Sequence, residues 1–451
     1  MRDTFLSRID PAGHGTATVF AVVSVLTVST AVALNPRIGL ILAAALVVTA
    51  IAVGLHLHGI LSPLWPLVVV GVFMPLNGLR PLEFVTIGDI MLMFLGLISL
   101  VVLRRARPPL HVMIVLLGTL LVTAGGIFGM MATQDWAGVS EMAKFVLGAP
   151  MVIVIIMLID PSKQVATLLL TAYATGAVIS TYSGMFQAVD PAFGRASGLG
   201  VHVGHLALAA QLGFFVWAGW FLTVKTLLMK VVTFFLTAMC LYGVLLSGTR
   251  TALFGLGIGA IVLALSLGRK GAIALGGSSV FAVFAYFFVV PYLPNSDNIY
   301  RALGQEEQSV QSDAAHTEAF IEALRAIGQH PWTGWGFGEG QLAHNLVLQI
   351  ANLGGLVGLV GFLVIWIPIG LMFFQRVRRG VDRDSAMATA TFCGVLAYFI
   401  FAQFQPLIWD RHLWFFIVLT LYLQHPFNEP WPTRDQKQKE EKEHDGVLES
   451  V

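Results

Sequence analysis

The chain has 451 residues, of which 57% are hydrophobic and only 11% are charged, and its mean hydropathy is +0.80. Soluble domains carry about 25% charged residues, so the composition excludes an ordinary soluble protein and indicates one embedded in a membrane. The formal net charge of +1 argues against nucleic acid as a partner, because nucleic-acid binding requires a concentrated basic face. The two cysteines, Cys240 and Cys393, each lie inside an apolar run, which indicates small buried residues and neither a disulfide framework nor a metal site.

Apolar segments follow one another along almost the whole chain, many of them close to the roughly 20 residues that a helix needs to cross a bilayer. About 14 are predicted, at 16–33, 38–55, 59–76, 87–103, 110–131, 142–160, 164–183, 204–223, 230–248, 251–268, 271–291, 353–374, 385–403 and 412–424. This succession predicts an all-α fold, a polytopic membrane bundle of about 12–14 helices within residues 1–425. Residues 426–451 are rich in mixed charge without apolar periodicity, which predicts a disordered cytoplasmic tail.

The basic residues predict the orientation, because Lys and Arg accumulate on the cytoplasmic side of membrane proteins. With the N-terminus inside, alternation of the spans places about 18 of the 26 basic residues in the cytoplasm and about 8 outside. Arg2 and Arg8 precede the first apolar run without a small-residue cleavage site, so this segment is predicted to be a cytoplasmic leader and not a removable signal peptide.

One long polar segment, 292–343, interrupts the apolar sequence and is predicted to be an external, partly helical loop. It passes through TGWGFGEG and re-enters apolar sequence at His344. The four glycines of TGWGFGEG lack the spacing of a dinucleotide fingerprint and follow no predicted strand, so no nucleotide site is expected. Trp332 and Trp335 fit either an interfacial aromatic belt or a surface that stacks against sugars.

Three ionisable residues on the predicted external face are candidates for chemistry. Arg250 lies in LLSGTRTALFGLG between two apolar runs, where a charged side chain is costly and usually faces a cavity or a partner. Its planar guanidinium suits diphosphate oxygens, and an arginine that reaches lipid headgroups is the alternative. Arg195 lies in a glycine-rich external loop, whose backbone amides can approach an anion closely. His344 can exchange a proton near neutral pH, and a hydrogen-bonded interfacial histidine is the alternative.

Other polar residues support weaker hypotheses. His202 and His205 are spaced for metal binding on a helix, but no third ligand lies near them in sequence, so no metal is expected. The acidic residues of the long loop include possible catalytic carboxylates, yet their spacing suits an amphipathic surface helix equally well.

Three stretches together resemble the O-antigen ligase and O-antigen polymerase superfamily of membrane glycosyltransferases. GRASG is similar to the family's arginine–x–x–glycine loop, and SGTRTA is similar to its serine–x–(serine/threonine)–arginine turn that opens a span. The block HPWTGWGFGEGQLAHNLVLQIANLGGLVGLVG is similar to the family's proline–x–x–glycine–x–glycine run, followed by His-Asn, a short apolar helix and paired glycines. The resemblance covers roughly 190–375, and the order and spacing of the three stretches agree with the family.

The resemblance implies a glycan donor linked to polyprenyl diphosphate, and transfer of its glycan to a hydroxyl of a glycan, lipid or protein acceptor. It implies that Arg195 and Arg250 bind the diphosphate and that His344 is the general base. No cofactor and no metal are implied, and direct attack would invert the anomeric centre. The implied location is a bacterial inner membrane, with both termini cytoplasmic, the active site facing the periplasm or exterior, and membrane lipids as the remaining partners.

The chain also departs from the family pattern. The family often carries Asn where this chain has His202 and His205, and it often carries another arginine before the glycine run, where Arg301 and His316 are the candidate substitutes. Trp335 and Asn345 are further accessory candidates. The sequence leaves open whether the acceptor is that of a ligase or of a polymerase.

Two hypotheses from other classes compete with an enzyme. A transporter or flippase for lipid-linked saccharides would require internal pseudo-symmetry, and no repeat is evident in the sequence. A structural scaffold would require no cavity. The glycosyltransferase hypothesis predicts that Arg195, Arg250 and His344 converge on one external cavity.

Overall fold

The structure is a computed structural model that describes residues 65–81, 85–102, 108–187, 195–269, 271, 273, 292, 308–338, 344–378, 381 and 385–424. Its longer elements are all α-helices, which confirms the predicted all-α class. They are α1 (Trp65–Phe73), α2 (Ile87–Val102), α3 (Leu110–Thr133), α4 (Val139–Gly148), α5 (Pro150–Ile159), α6 (Lys163–Phe186), α7 (Val203–Thr223), α8 (Leu227–Leu246), α9 (Arg250–Ser266), α10 (Gln308–Gln329), α11 (Leu346–Arg378), α12 (Ala386–Phe401) and α13 (Arg411–Tyr422).

Six segments of the described part are long and apolar enough to cross a membrane, so the chain is a multi-pass membrane protein. They are α3, the consecutive helices within Trp136–Ile159, α6, α7, α8 and α11. The helices α9, α12 and α13 are apolar but shorter. The spans predicted at 16–33 and 38–55, nearly all of the span predicted at 271–291, and the predicted tail lie outside the described residues.

Two predicted spans differ from the helices observed. The single span predicted at 142–160 is divided into α4 and α5, because Pro150, which has no amide hydrogen, occupies the first position of α5. The span predicted at 353–374 is part of a longer helix, α11, which begins at Leu346 and is kinked at Gly355. Gly355 has φ 53° and ψ −142°, a backbone conformation that is almost restricted to glycine.

Close packing between α3 and α11 depends on glycines that face each other. A Cβ atom at Gly125 would lie 2.8 Å from the nitrogen of Gly358 and 2.9 Å from the carbonyl oxygen of Gly354. One at Gly118 would lie 2.8 Å from the carbonyl oxygen of Gly361. Small residues at such positions let two membrane helices bring their backbones together, and this pairing supports the segment of α11 that follows the kink.

A second group of helices surrounds α7, which packs against α6, α8 and α12, while α9 packs against α12. The connections before α7 and after α1 meet at one end of the bundle, where the amide of Gly78 donates to the carbonyl of Leu199 at 2.6 Å. α13 is buried along its whole length after its first residue, next to α5 and α6. These contacts fix the ends of several helices close to one another.

Candidate active site

A cavity of about 630 Å³ lies where five parts of the chain meet. These parts are the segment before α7, the α8–α9 turn with the start of α9, the middle of α10, His344 just before α11, and the α12–α13 connection. The lining residues are Arg195, His202, Gly248, Thr249, Arg250, Thr251, Phe254, His316, Thr317, His344, Phe404 and Gln405. All three residues predicted to carry the chemistry therefore line one cavity, although they lie far apart in sequence.

Arg250 is positioned by a tight turn at the start of α9. The hydroxyl of Ser247 accepts a hydrogen bond from the amide of Thr249 at 3.2 Å and donates to the carbonyl of Val244 at 2.6 Å. Arg250 is the first residue of α9 and is half-buried. The N-terminus of a helix carries a partial positive charge and unsatisfied amides, so the guanidinium and the helix end together form a favourable environment for an anion.

Arg195 enters the cavity from the segment that leads into α7. This segment is tied to α6, because the amide of Leu199 donates to the Ser180 hydroxyl at 3.0 Å. Arg195 is half-buried, and the adjacent Ala196 is fully buried. Two guanidinium groups from different elements therefore line the same space, an arrangement that suits a doubly charged group such as a diphosphate.

His344 follows the TGWGFGEG segment and lies two residues before the start of α11. The next residue, Asn345, caps the helix, because its side-chain oxygen accepts hydrogen bonds from the amides of Val347 and Leu348 at 3.0 and 3.1 Å. His344 itself is exposed, and its ring meets that of His316 at 4.5 Å between centroids with an interplanar angle of 72°. The cap thus fixes the backbone next to the exposed imidazole.

The accessory candidates occupy different places. His316 lines the cavity, whereas Asn345 stabilises the start of α11. Trp335 is not among the lining residues: its indole N–H donates to the carbonyl of Ala326 at 2.9 Å, and its ring contacts that of His330. Arg301 lies outside the described residues.

The glycine–tryptophan segment has a structural role that the sequence motif alone does not reveal. The amides of Trp335 and Gly336 donate to the carbonyls of Asn352 and Leu353 at 2.6 and 3.0 Å, just before the kink at Gly355. The segment therefore satisfies carbonyl groups in the last turn before the kink. It joins the end of α10 to α11 and so holds the two elements that carry His316 and His344.

Several parts of the site were not predicted from the sequence. Gln405 and Phe404 come from the α12–α13 connection, which in the sequence is only a break between two predicted spans. His202, named from the sequence as a metal-ligand candidate and as a departure from the family's Asn, lines the cavity, and His205 points instead towards Asp410 at 3.3 Å. Among the described residues no group of three His, Cys, Asp or Glu side chains has the arrangement of a metal site. Asp410 and His412 lie at the start of a predicted apolar span, and this polar pair could have indicated that the α12–α13 connection contributes to the site.

Residues 232–363 match a family model described as O-antigen ligase. The match extends from α8 into α11 and includes Arg250, His316 and His344, but it excludes Arg195 and the α12–α13 connection. It confirms the resemblance predicted from the sequence. A comparison with curated proteins found no match for the chain.

Proposed function

We propose that this chain, a member of the O-antigen ligase/polymerase superfamily, is a membrane glycosyltransferase that moves a glycan from a polyprenyl diphosphate to an acceptor hydroxyl. Family membership supports a membrane glycosyltransferase of O-antigen ligase type. The donor, the residue roles, the inverting course and the external face are the parts that we propose. The single observation that carries the proposal is the convergence of Arg195, Arg250 and His344 on one cavity.

The two arginines bind the donor diphosphate. When the glycosidic bond to the diphosphate breaks, negative charge develops on the oxygen that leaves, and cationic donors placed there lower the barrier. Arg195 and Arg250 supply two planar cations, and the N-terminus of α9 adds its positive end. The aromatic rings of Phe254 and Phe404, 59% and 46% exposed, give the same cavity an apolar surface for the polyprenyl chain.

His344 acts as the general base. The acceptor hydroxyl oxygen attacks the anomeric carbon, a new glycosidic bond forms, and the bond to the diphosphate oxygen breaks with its electron pair. The hydroxyl proton passes to His344. The polyprenyl diphosphate is the leaving group, and Arg195 and Arg250 stabilise its negative charge. Attack from the side opposite the leaving group inverts the anomeric centre. The proposed chemistry uses only side chains of this protein and requires no metal.

A transporter or flippase for lipid-linked saccharides is less well supported. Transporter sites usually lie near the bilayer midplane between pseudo-symmetric repeats. The cavity is lined instead by connections and helix ends, which include the starts of α9 and α11. This placement favours chemistry at a membrane surface over passage through the bundle.

The test is transfer by purified protein supplied with a lipid-linked oligosaccharide and separate candidate acceptors, with product mass as the readout. A second lipid-linked unit as acceptor tests polymerase activity, and a core lipid or a protein tests ligase activity. We expect Arg250→Ala to lower transfer about 10²- to 10³-fold and His344→Ala about 10²- to 10⁴-fold. Near-wild-type transfer by either variant contradicts its role. Loss of activity with EDTA that a divalent ion restores contradicts the metal-free mechanism.

Two control variants match these substitutions. Arg325→Ala and His330→Ala remove the same residue types from α10 and the residue just after it, and neither residue lines the cavity. Both should retain transfer within a few-fold of wild type. Equal losses in the control and test variants would show that the assay responds to general damage and not to the cavity.

A further inference from the structure

A group of polar side chains lies behind the cavity wall, around Asp410, the residue before α13. The side chain of Asp410 is only 13% exposed. One carboxylate oxygen lies 3.3 Å from His205 Nε2 and 3.4 Å from Asn77 Nδ2, and the other lies 3.7 Å from His412 Nε2. The hydroxyl of Tyr173 extends the group, 2.9 Å from His412 Nδ1. Such a buried polar group is costly unless its members satisfy one another.

Hydrogen bonding determines which nitrogen of His205 carries the proton. Its Nδ1 accepts a hydrogen bond from the backbone amide of His202 at 3.2 Å, so the proton of the neutral ring lies on Nε2 and points at Asp410. A proton on Nδ1 would oppose the His202 amide hydrogen. Burial alone raises the pKa of Asp410, but the imidazoles of His205 and His412 lower it below its ordinary value. The carboxylate of Asp410 therefore lies opposite Nε2 of His205, while Nδ1 of the same ring is held by the His202 amide.

His205 connects this group to the cavity through His202. Both residues belong to the cap of α7, in which His202 Nδ1 accepts from the amide of Gly204 at 3.1 Å while its own amide donates to His205. The side chain of Gln405 also reaches His202 Nδ1, at 3.4 Å, and both side chains line the cavity. The position of His202 on the wall therefore depends on the ring that Asp410 fixes.

The α12–α13 connection also contacts the wall that carries His344. The side-chain nitrogen of Asn345 donates to the carbonyl oxygen and to the side-chain oxygen of Gln403, each at 3.2 Å. The amide of Leu346 donates to the carbonyl of Ala402 at 3.0 Å. Residues 402–410 therefore bond to the start of α11 at one end and to the cap of α7 at the other.

From this juxtaposition we propose that Asp410 is a positioning residue of the transferase site, which fixes His202 on the cavity wall through His205. Residues 402–410 then keep His202 and His344 in fixed positions relative to each other. The inference rests on the proposed function for its effect on catalysis, but not for its effect on the histidines. A misplacement of about 1 Å can cost about 100-fold in rate, so a residue with no contact to substrate can control turnover in this way.

The test compares Asp410→Asn, which keeps the shape but removes the charge, with wild type in detergent. We expect kcat to fall about 10- to 100-fold while the KM for the donor stays within about threefold, because the arginines remain in place. An unchanged kcat overturns the proposal. His205→Gln, whose amide can still donate to Asp410, should recover most of the turnover that His205→Ala loses. Failure of this rescue also counts against the proposal.

A second readout does not depend on activity. Diethyl pyrocarbonate modifies accessible neutral imidazoles, and peptide mass spectrometry measures its rate at each histidine. In Asp410→Asn, modification of His205 and His202 should become severalfold faster, while His330 keeps its wild-type rate. Unchanged rates at His205 and His202 overturn the proposal. If wild type transfers no glycan, the proposed function fails, and the modification rates alone decide the role of Asp410.

The control variant is Asp89→Asn. Asp89 is a neighbouring buried carboxylate that pairs with Arg411 and accepts from Thr86, without a described contact to His205. It should lower the thermal midpoint, because removal of one charge from a buried pair leaves the charge of Arg411 uncompensated, yet it should leave histidine modification and kcat within about threefold of wild type. Equal losses of kcat in Asp89→Asn and Asp410→Asn would overturn a specific positioning role.

Discussion

His316 and His344 face each other with their ring centroids 4.5 Å apart. They come from different elements, α10 and the segment just before α11, and both line the cavity. A general base has to accept a proton, whereas a ligand of the donor diphosphate has to donate a hydrogen bond. We therefore propose a division of roles, in which His344 accepts the proton and His316 donates to the diphosphate, at the place where the family often has an arginine.

This division predicts a separation of kinetic effects at position 316. His316→Ala should raise the KM for the donor about 10-fold, as expected for loss of one charge-assisted hydrogen bond of about 1.5 kcal/mol, with little change in kcat. His316→Arg should stay close to wild type because a guanidinium also donates to phosphate oxygens. Transfer rates measured over a range of donor concentrations check both variants. A loss of kcat in His316→Ala as large as that in His344→Ala would reverse the two roles.

Individual residues of the site were predictable to different extents. Arg250 could be chosen because a charged side chain between two apolar runs is costly. Arg195 could be chosen from its glycine-rich loop, and His344 because it can exchange a proton where apolar sequence resumes. Gln405 and Phe404 could not, because neither is ionisable, and only tertiary contacts bring the α12–α13 connection to the cavity. Trp335 illustrates the reverse case: an aromatic residue in a recognisable motif donates its indole hydrogen to Ala326 and does not line the cavity.

At the scale of single elements, the kink in α11 determines where His344 lies. The part before Gly355 carries the capped start of the helix, and the residues from Leu353 onward pack against α3. The left-handed backbone at Gly355 also allows a close approach, since a Cβ there would lie 2.5 Å from the backbone of Trp332 and 2.7 Å from the nitrogen of Gly334. Periodicity in sequence could predict the apolar helix, but it could not show that its first two turns run in another direction.

Gly355→Ala should therefore destabilise the protein and reduce transfer. We expect a loss of about 1–3 kcal/mol from backbone strain alone, with added cost from the collision. The matched control is Gly370→Ala in the same helix, where a Cβ would meet nothing within 4 Å, and where alanine should be neutral or stabilising by up to about 1 kcal/mol.

Thermal unfolding monitored with a thiol-reactive dye measures both variants. The two cysteines, Cys240 and Cys393, are buried in the native protein and become reactive only as it unfolds. Equal midpoints for Gly355→Ala and Gly370→Ala would show that the kink does not constrain the fold. A lowered midpoint without loss of transfer at low temperature would separate the kink from the site.

In the molecule as a whole, successive membrane helices run in alternating directions, so the connections between them fall at two opposite ends of the bundle. The cavity is formed by connections at one end, before α7, before α9, before α11 and before α13. The α7–α8 connection and the end of α11 lie at the opposite end, where the described basic residues include Lys225, Lys230, Arg376 and Arg378. The membrane class and the places of α3, α6, α7 and α8 were predictable from apolar length, whereas the division at Pro150 and the start of α11 at Leu346 were not. Which helices touch was not, because a lipid-facing and a protein-facing apolar side chain look alike in sequence.

The distribution of charge predicts that the cavity faces away from the cytoplasm, since Lys and Arg are retained on the cytoplasmic side. Thr317→Cys places a thiol on an exposed residue of the cavity lining, and Lys225→Cys places one on the exposed α7–α8 connection at the other end. In intact cells a membrane-impermeant maleimide should label Thr317→Cys and not Lys225→Cys, and permeabilised cells should allow both. The buried native cysteines keep the background low, and the unsubstituted protein measures it. Labelling of Lys225→Cys alone in intact cells would place the cavity in the cytoplasm, where a donor displayed on the external leaflet could not reach Arg195 and Arg250.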